Sequence, residues 1–189
     1  RKHVQLEIRR LHQRLRRTMI YVTHDQEEAL VMSDRVAVMR DGAIEQIGTP
    51  QDLYESPANT FVAGFLGESN LIEGRVTQIH DGKAEILAES IGAIRGAAAP
   101  GVLAGGRAAA LIRPEAVRFG GSLPARLVER VYLGELMAFR LHLDGGTEIW
   151  QRQPVGMGEP AESAVTLAWS ESGVRIIPIS DYPVKQGES

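Results

Sequence analysis

Residues 18–30 read TMIYVTHDQEEAL, and the reading of that stretch decides the fold of the N-terminal third. Met19 to Val22 are apolar and largely β-favouring, so the run predicts a short buried strand over 19–23. His24 follows directly, and Asp25 opens a segment with helical character. Asp25 and Glu28 stand at capping-box spacing, and acidic residues in a first turn suit the helix dipole. A polar side chain at the carboxyl end of a parallel-type strand, just before a helix, is where α/β proteins commonly bind ligands. From spacing alone His24 has two readings: a ligand-facing group, or one satisfied polar residue in a strand-to-helix turn.

Upstream, Val4, Ile8, Leu11 and Leu15 fall at helical spacing and predict a helix over 2–17 with one apolar face. Arg9, Arg10, Arg14, Arg16 and Arg17 occupy most of the remaining surface. Its apolar face and the edges of strand 19–23 both need cover. That predicts packing against a second copy. Downstream, a short helix is expected over 26–32. The runs 35–39 and 43–47 flank Asp41-Gly42, a hairpin signal. Thr49-Pro50 reads as an N-cap followed by a proline at the first helical position, in a helix that carries Leu53 and Tyr54 and stops before Pro57. A second short helix, NTFVAGFLG, closes this region near Gly67.

After Gly67 the pattern turns to β. Asp81-Gly82 and Asp144-Gly145 are further turn signals, and Phe139, Leu141 and Leu143 alternate with Arg140, His142 and Asp144 as in a half-buried strand. Other strands are expected at 70–80, 83–89, 107–112, 124–133, 147–152, 164–169 and 174–177. The Ala/Gly-rich segment 92–106 is expected to be irregular. Many short strands with Gly/Pro punctuation predict a small barrel or sandwich, and two barrel-like halves are compatible with the pattern.

The 189-residue length suits one large or two small domains, and 43% hydrophobic with 24% charged residues is ordinary for a globular protein. A net charge of -3 gives no general reason to expect a nucleic-acid or membrane partner, although seven of the 21 basic residues lie in the first 17 positions. Cysteine is absent, which excludes disulfides and thiolate metal sites. No apolar run approaches the roughly 20 residues of a membrane helix. Arg1 begins in what reads as mid-helix, so a piece of a longer protein is expected.

The stretch RLHQRLRRTMIYVTHDQEEALVMSDRVAVMRDGAIEQIGTPQDLYESPANTFVAGFLG resembles the end of an ABC-transporter ATPase domain. The similarity is greatest to importer ATP-binding subunits of the sugar and polyamine type. It rests on THDQEEA, the spacing to MSDR, the DG…QIGTP run and the YESPAN…FVAGFLG tail. The resemblance implies an α+β chain: residues 1–67 as the remnant of a P-loop ATPase α/β domain, and 68–189 as an all-β OB-like accessory (TOBE) domain. It implies that His24 is the switch histidine that contacts the γ-phosphate of ATP. It also implies ATP and Mg as cofactors of the intact protein, and a homodimer that joins membrane permease subunits and, indirectly, a periplasmic or lipoprotein solute-binding protein. The expected location is cytoplasmic, peripheral on the inner face of the membrane. LIRPEAV (111–117) matches the accessory domain's own motif, with Arg113, Pro114 and Glu115 read as structural: Pro114 ends a strand, and the two charges bridge loops. The closing TLAWSESGVRII is more similar to polyamine or iron types than to the maltose type.

Departures from that family pattern are equally informative. The first glycine is Gly42, so no G-x-x-x-x-G-K-[ST] loop precedes His24. Gly82-Lys83 has Thr77 where the first glycine is needed and Ala84 where Ser/Thr is needed. No cofactor and no ATPase activity are therefore expected of the isolated chain. The five histidines are scattered without metal spacing. Two other readings stay open: an OB-type module that senses a small oxyanion, and one that binds single-stranded nucleic acid. The 5% aromatic content and lack of a basic run in the β region count against nucleic acid.

Overall fold

The computed structural model describes residues 2–15 and 17–180; Arg16, and residues 181–189 at the end of the expected β domain, lie outside the described residues. Helix α1 (Lys2–Leu15) is built from strong helix formers with no Gly or Pro and carries an Arg10–Glu7 ion pair at 2.6 Å. It differs from expectation in the face it buries. Gln5 is buried and Arg9 donates to the Val31 carbonyl at 2.8 Å, whereas Val4, Ile8, Leu11 and Leu15 are solvent-exposed.

The expected strand 19–23 does not form. Its residues adopt no regular structure and pair into no sheet, and Ile20 and Val22 are 92% and 89% exposed. A strand needs a neighbour for its amides, and no described strand lies alongside. The segment is instead folded back on helix α2 (Gln26–Met32): the Tyr21 and Thr23 hydroxyls donate to the Glu28 carboxylate at 3.0 and 2.9 Å. Asp25 caps α2 by accepting from the Glu28 amide.

Strands β1 (Val36–Arg40) and β2 (Ala43–Gly48) form the expected hairpin and stand as a separate two-stranded sheet. Asp41 and Gly42, both at positive φ, make the turn that the right-handed strand twist favours. Helix α3 (Pro50–Glu55) starts on a full Thr49–Asp52 capping box, and helix α4 (Thr60–Phe65) on Asn59. Ala29, Val36, Val38, Leu53, Val62 and Leu66 form the small core of this region.

Beyond Gly67 the chain builds two sheets. Strands β3 (Asn70–His80), β4 (Lys83–Ala88), β5 (Gly92–Ala98), β6 (Arg107–Ile112) and β11 (Val174–Pro178) close a barrel in the order β11-β5-β4-β3-β6. Strands β7 (Arg118–Tyr132), β8 (Leu136–Leu143), β9 (Glu148–Pro154) and β10 (Ala164–Ala168) form a four-stranded antiparallel sheet in the order β10-β7-β8-β9. One apolar core runs through the barrel and the sheet, with Ile86, Ile112 and Ile176 from the first and Phe139, Leu141 and Ile149 from the second.

Residues 92–98 correct the expectation of an irregular segment: β5 is a barrel strand. Its small residues, which weaken strand propensity, are what the closure requires. A Cβ on Gly96 would lie 2.5 Å from the Val174 carbonyl oxygen, where β11 joins β5 in the barrel's one parallel pairing among the described residues. Strand β7 also starts earlier than the expected 124–133, because Arg118 and Phe119 pair with β10 across a register shift between Thr166 and Leu167. Gly96→Ala is expected to destabilise the chain by about 1–3 kcal/mol through overpacking at the barrel seam, read as a lowered urea midpoint at unchanged slope.

Candidate functional site

His24 lies at the bend between residues 19–23 and α2 and is solvent-exposed. Acidic residues crowd its neighbourhood in sequence, with Asp25, Glu27 and Glu28 all following it. The first glycine in the sequence is Gly42, so no Gly-rich phosphate loop precedes His24. Among the described residues no group of three or more His, Asp or Glu is placed to hold a metal. No described helix is long and apolar enough to cross a membrane.

The second sequence-derived candidate has a far more built environment. Arg113 ends β6, and its side chain is 92% removed from solvent, at 8% relative exposure. Pro114 and Glu115 follow in a 3₁₀ turn, where Pro114 occupies the first position and needs no amide partner. The Arg113 guanidinium lies 3.9 Å from the centre of the Tyr54 ring, and its Nη2 donates to the Tyr54 carbonyl at 2.6 Å. Nη1 donates to Ser69 Oγ and, at 3.4 Å, to the Ala63 carbonyl. One planar fork thus reaches α3, α4 and the segment entering β3, a geometry that an ammonium could not reproduce.

Tyr54 completes the arrangement. Its hydroxyl donates to Glu115 Oε1 at 2.7 Å, and Gly67 lies against the other part of its ring. Burial, and then the bond to Glu115, push the Tyr54 hydroxyl up to about 12. Burial also pulls the Arg113 pKa down from its usual value. Two further contacts flank Ser69. Arg152 of β9 pairs with Glu68, and the Asn70 carboxamide makes two bonds to the Trp150 backbone, donating to the carbonyl at 2.8 Å and accepting from the amide at 2.7 Å.

The structure therefore brings Arg113, Pro114 and Glu115 together with Tyr54, Glu68, Ser69 and Asn70, and leaves His24 in the α2 region. Tyr54 and Arg152 carried no sequence signal. Their partners lie 59 and 84 residues away, and nothing local marks a tyrosine in a short helix as a stacking surface.

Comparison with known proteins gives these positions a family. Residues 110–177, which include the Arg113–Glu115 turn, match the family described as the TOBE domain. Over that stretch the chain is similar to TOBE domains. It is also 44% identical over 158 residues to the spermidine/putrescine import ATP-binding protein PotA of Ruegeria pomeroyi, a match covering 81% of this chain and 42% of the relative. It is 38% identical over 182 residues to the Fe(3+) ions import ATP-binding protein FbpC of Rhizobium etli, covering 94% of this chain and 50% of that one. The chain is thus related to importer ATP-binding subunits and spans about half the length of the curated relatives it matches. Among solved structures, the cytoplasmic molybdate-binding protein ModG aligns over 58% of this chain and 95% of its own, with 17% identity and a TM-score of 0.49. The joint described above joins the matched range to residues outside it, since Tyr54, Ala63 and Ser69 all precede it.

The raised Tyr54 hydroxyl has a measurable consequence. Its folded value lies above the ordinary 10.0, so its contribution to stability is fully present below pH 10 and is lost as pH rises towards 12. Wild type is expected to lose more stability than Tyr54→Phe between pH 10 and pH 12, in paired urea titrations. Equal losses would show that burial and the Glu115 bond do not raise the hydroxyl.

Proposed function

We propose that this chain is the C-terminal part of the ATP-binding subunit of an ABC importer of the polyamine type. In this reading residues 1–67 belong to the ATPase domain and 68–189 to the accessory domain. The observation that carries it is the extent of the similarity. A match to an import ATP-binding protein over 94% of the chain leaves too few residues outside to miss the His24 segment. The assignment to polyamines rather than iron follows the higher identity, 44% against 38%.

The distribution of uncovered apolar surface supports the same reading. Val4, Ile8, Leu11 and Leu15 on α1, Met19 to Val22 after it, and Met39, Ile44 and Ile47 on the hairpin are all exposed. Large apolar side chains left exposed on three segments mark surface made to be covered. The upstream half of an ATPase domain would cover it and would supply the strand neighbours that 19–23 lacks.

The intact subunit would then work as a homodimer on the inner face of the membrane, coupled to permease subunits and, through them, to a solute-binding protein. ATP and Mg would be held by the upstream half. From this chain His24 would add one imidazole, oriented by the turn into α2, at the terminal phosphate. Positioning and charge stabilisation are the main demands of phosphoryl transfer, so a single well-placed donor carries weight.

The test uses the chain joined to its natural upstream sequence. His24→Ala is expected to lower ATP turnover by roughly 10²-fold or more while leaving nucleotide binding nearly unchanged. The 189-residue chain itself is expected to show no thermal shift with ATP and Mg. Unimpaired turnover in the variant, or nucleotide-dependent stabilisation of the short chain, would overturn the proposal.

A further inference from the structure

Three consecutive residues where the chain enters β3 are each pinned to the β region, two by β9 and one by the residue that follows β6. Glu68 pairs with Arg152 on β9, Ser69 accepts from Arg113 at the end of β6, and Asn70 bonds both backbone groups of Trp150 on β9. The same Arg113 holds α3 through the Tyr54 ring and carbonyl and α4 through the Ala63 carbonyl. Just upstream, Ala63 packs on Ala109, Leu111 and Ile177 of the barrel's outer face, and Thr60 bonds Ser180 beyond β11. Linked domains ordinarily move relative to one another unless the junction is large or locked. At this junction Leu66 is buried, and Glu68, Ser69 and Asn70 each have a partner in the β region.

We propose that the segment 68–70, held by Arg113 and Arg152, is a rigid elbow that transmits a displacement of α3 and α4 to the barrel and to β9 together. Arg113 is the positioning residue: it joins three chain segments through one buried cation, so a shift of α3 must move the guanidinium, and with it the end of β6. Arg152 and Asn70 carry the same shift to the four-stranded sheet. The barrel is then a lever attached to the helical region, not a domain on a tether. The inference stands on contacts within this chain and does not depend on the nucleotide reading, so either can fail without the other.

The chain has no cysteine, so paired spin labels can be placed cleanly. Gln51→Cys on α3 is combined with Leu103→Cys beside the barrel or with Glu162→Cys before β10, all at exposed positions. Pulsed dipolar spectroscopy is expected to give a narrow single distance for both pairs. Arg113→Ala is expected to broaden both distributions, to roughly double the width, as freedom between linked domains returns. Arg152→Gln removes only the Glu68 contact and is expected to broaden both distributions to a smaller extent, because the barrel and the sheet share one core and move together. Circular dichroism checks that the variants are folded, and if Arg113→Ala is not, Arg113→Lys, which keeps the charge but loses the planar fork, decides by the same broadening of both pairs. Broad distributions in the wild type, or folded variants as narrow as wild type, would overturn the proposal.

Discussion

Strand β6 is buried on both faces, and the rest of the β region depends on that. Ala108, Ala110 and Ile112 point into the barrel core, while Ala109 and Leu111 receive Ala63 of α4 on the outside. A strand covered twice must be apolar throughout, which is why it reads RAAALI rather than alternating. The alanines also set distances: small side chains let α4 approach the barrel wall. At its carboxyl end the strand must stop, and Pro114 stops it while the preceding arginine reaches back under α3 and α4.

How far the sequence reveals this arrangement varies with how local the controlling physics is. Turns and caps are local, and Asp41-Gly42, Asp81-Gly82, Thr49-Pro50 and Asn59 all stand where their chemistry indicates. Strand β5 was obscured because its composition answers to a distant neighbour: Gly96 is small for the sake of Val174, which lies 78 residues later. The segment 19–23 failed for the opposite reason. Its β propensity is genuine, but a strand exists only in a pair, and propensity carries no information about whether a partner is present. In α1 the apolar stripe was correctly placed on one face, yet the Gln5–Arg9 side is what meets α2. For the site, the motif Arg113-Pro114-Glu115 was visible as a string, whereas the aromatic ring it clasps was not.

The two halves of the chain differ in how completely they satisfy their own surfaces. From β3 onward, inward-facing residues find a shared core, and turns are tied by pairs such as Ser90 with Thr147 at 2.6 Å. Before Gly67 the small core of Val36, Val38, Leu53 and Val62 coexists with large exposed side chains on three segments. A self-sufficient unit of that size would ordinarily bury them.

The Asn70 carboxamide, seated on both backbone groups of Trp150, gives the four-stranded sheet two unlike margins. On the β9 side a side-chain amide imitates the next strand's peptide at Trp150. On the β10 side the margin is the uncharged run AVTLA, with neither lysine nor proline to deter an incoming chain. Of the two margins, the one at residues 164–168 is consequently the more open to a further strand.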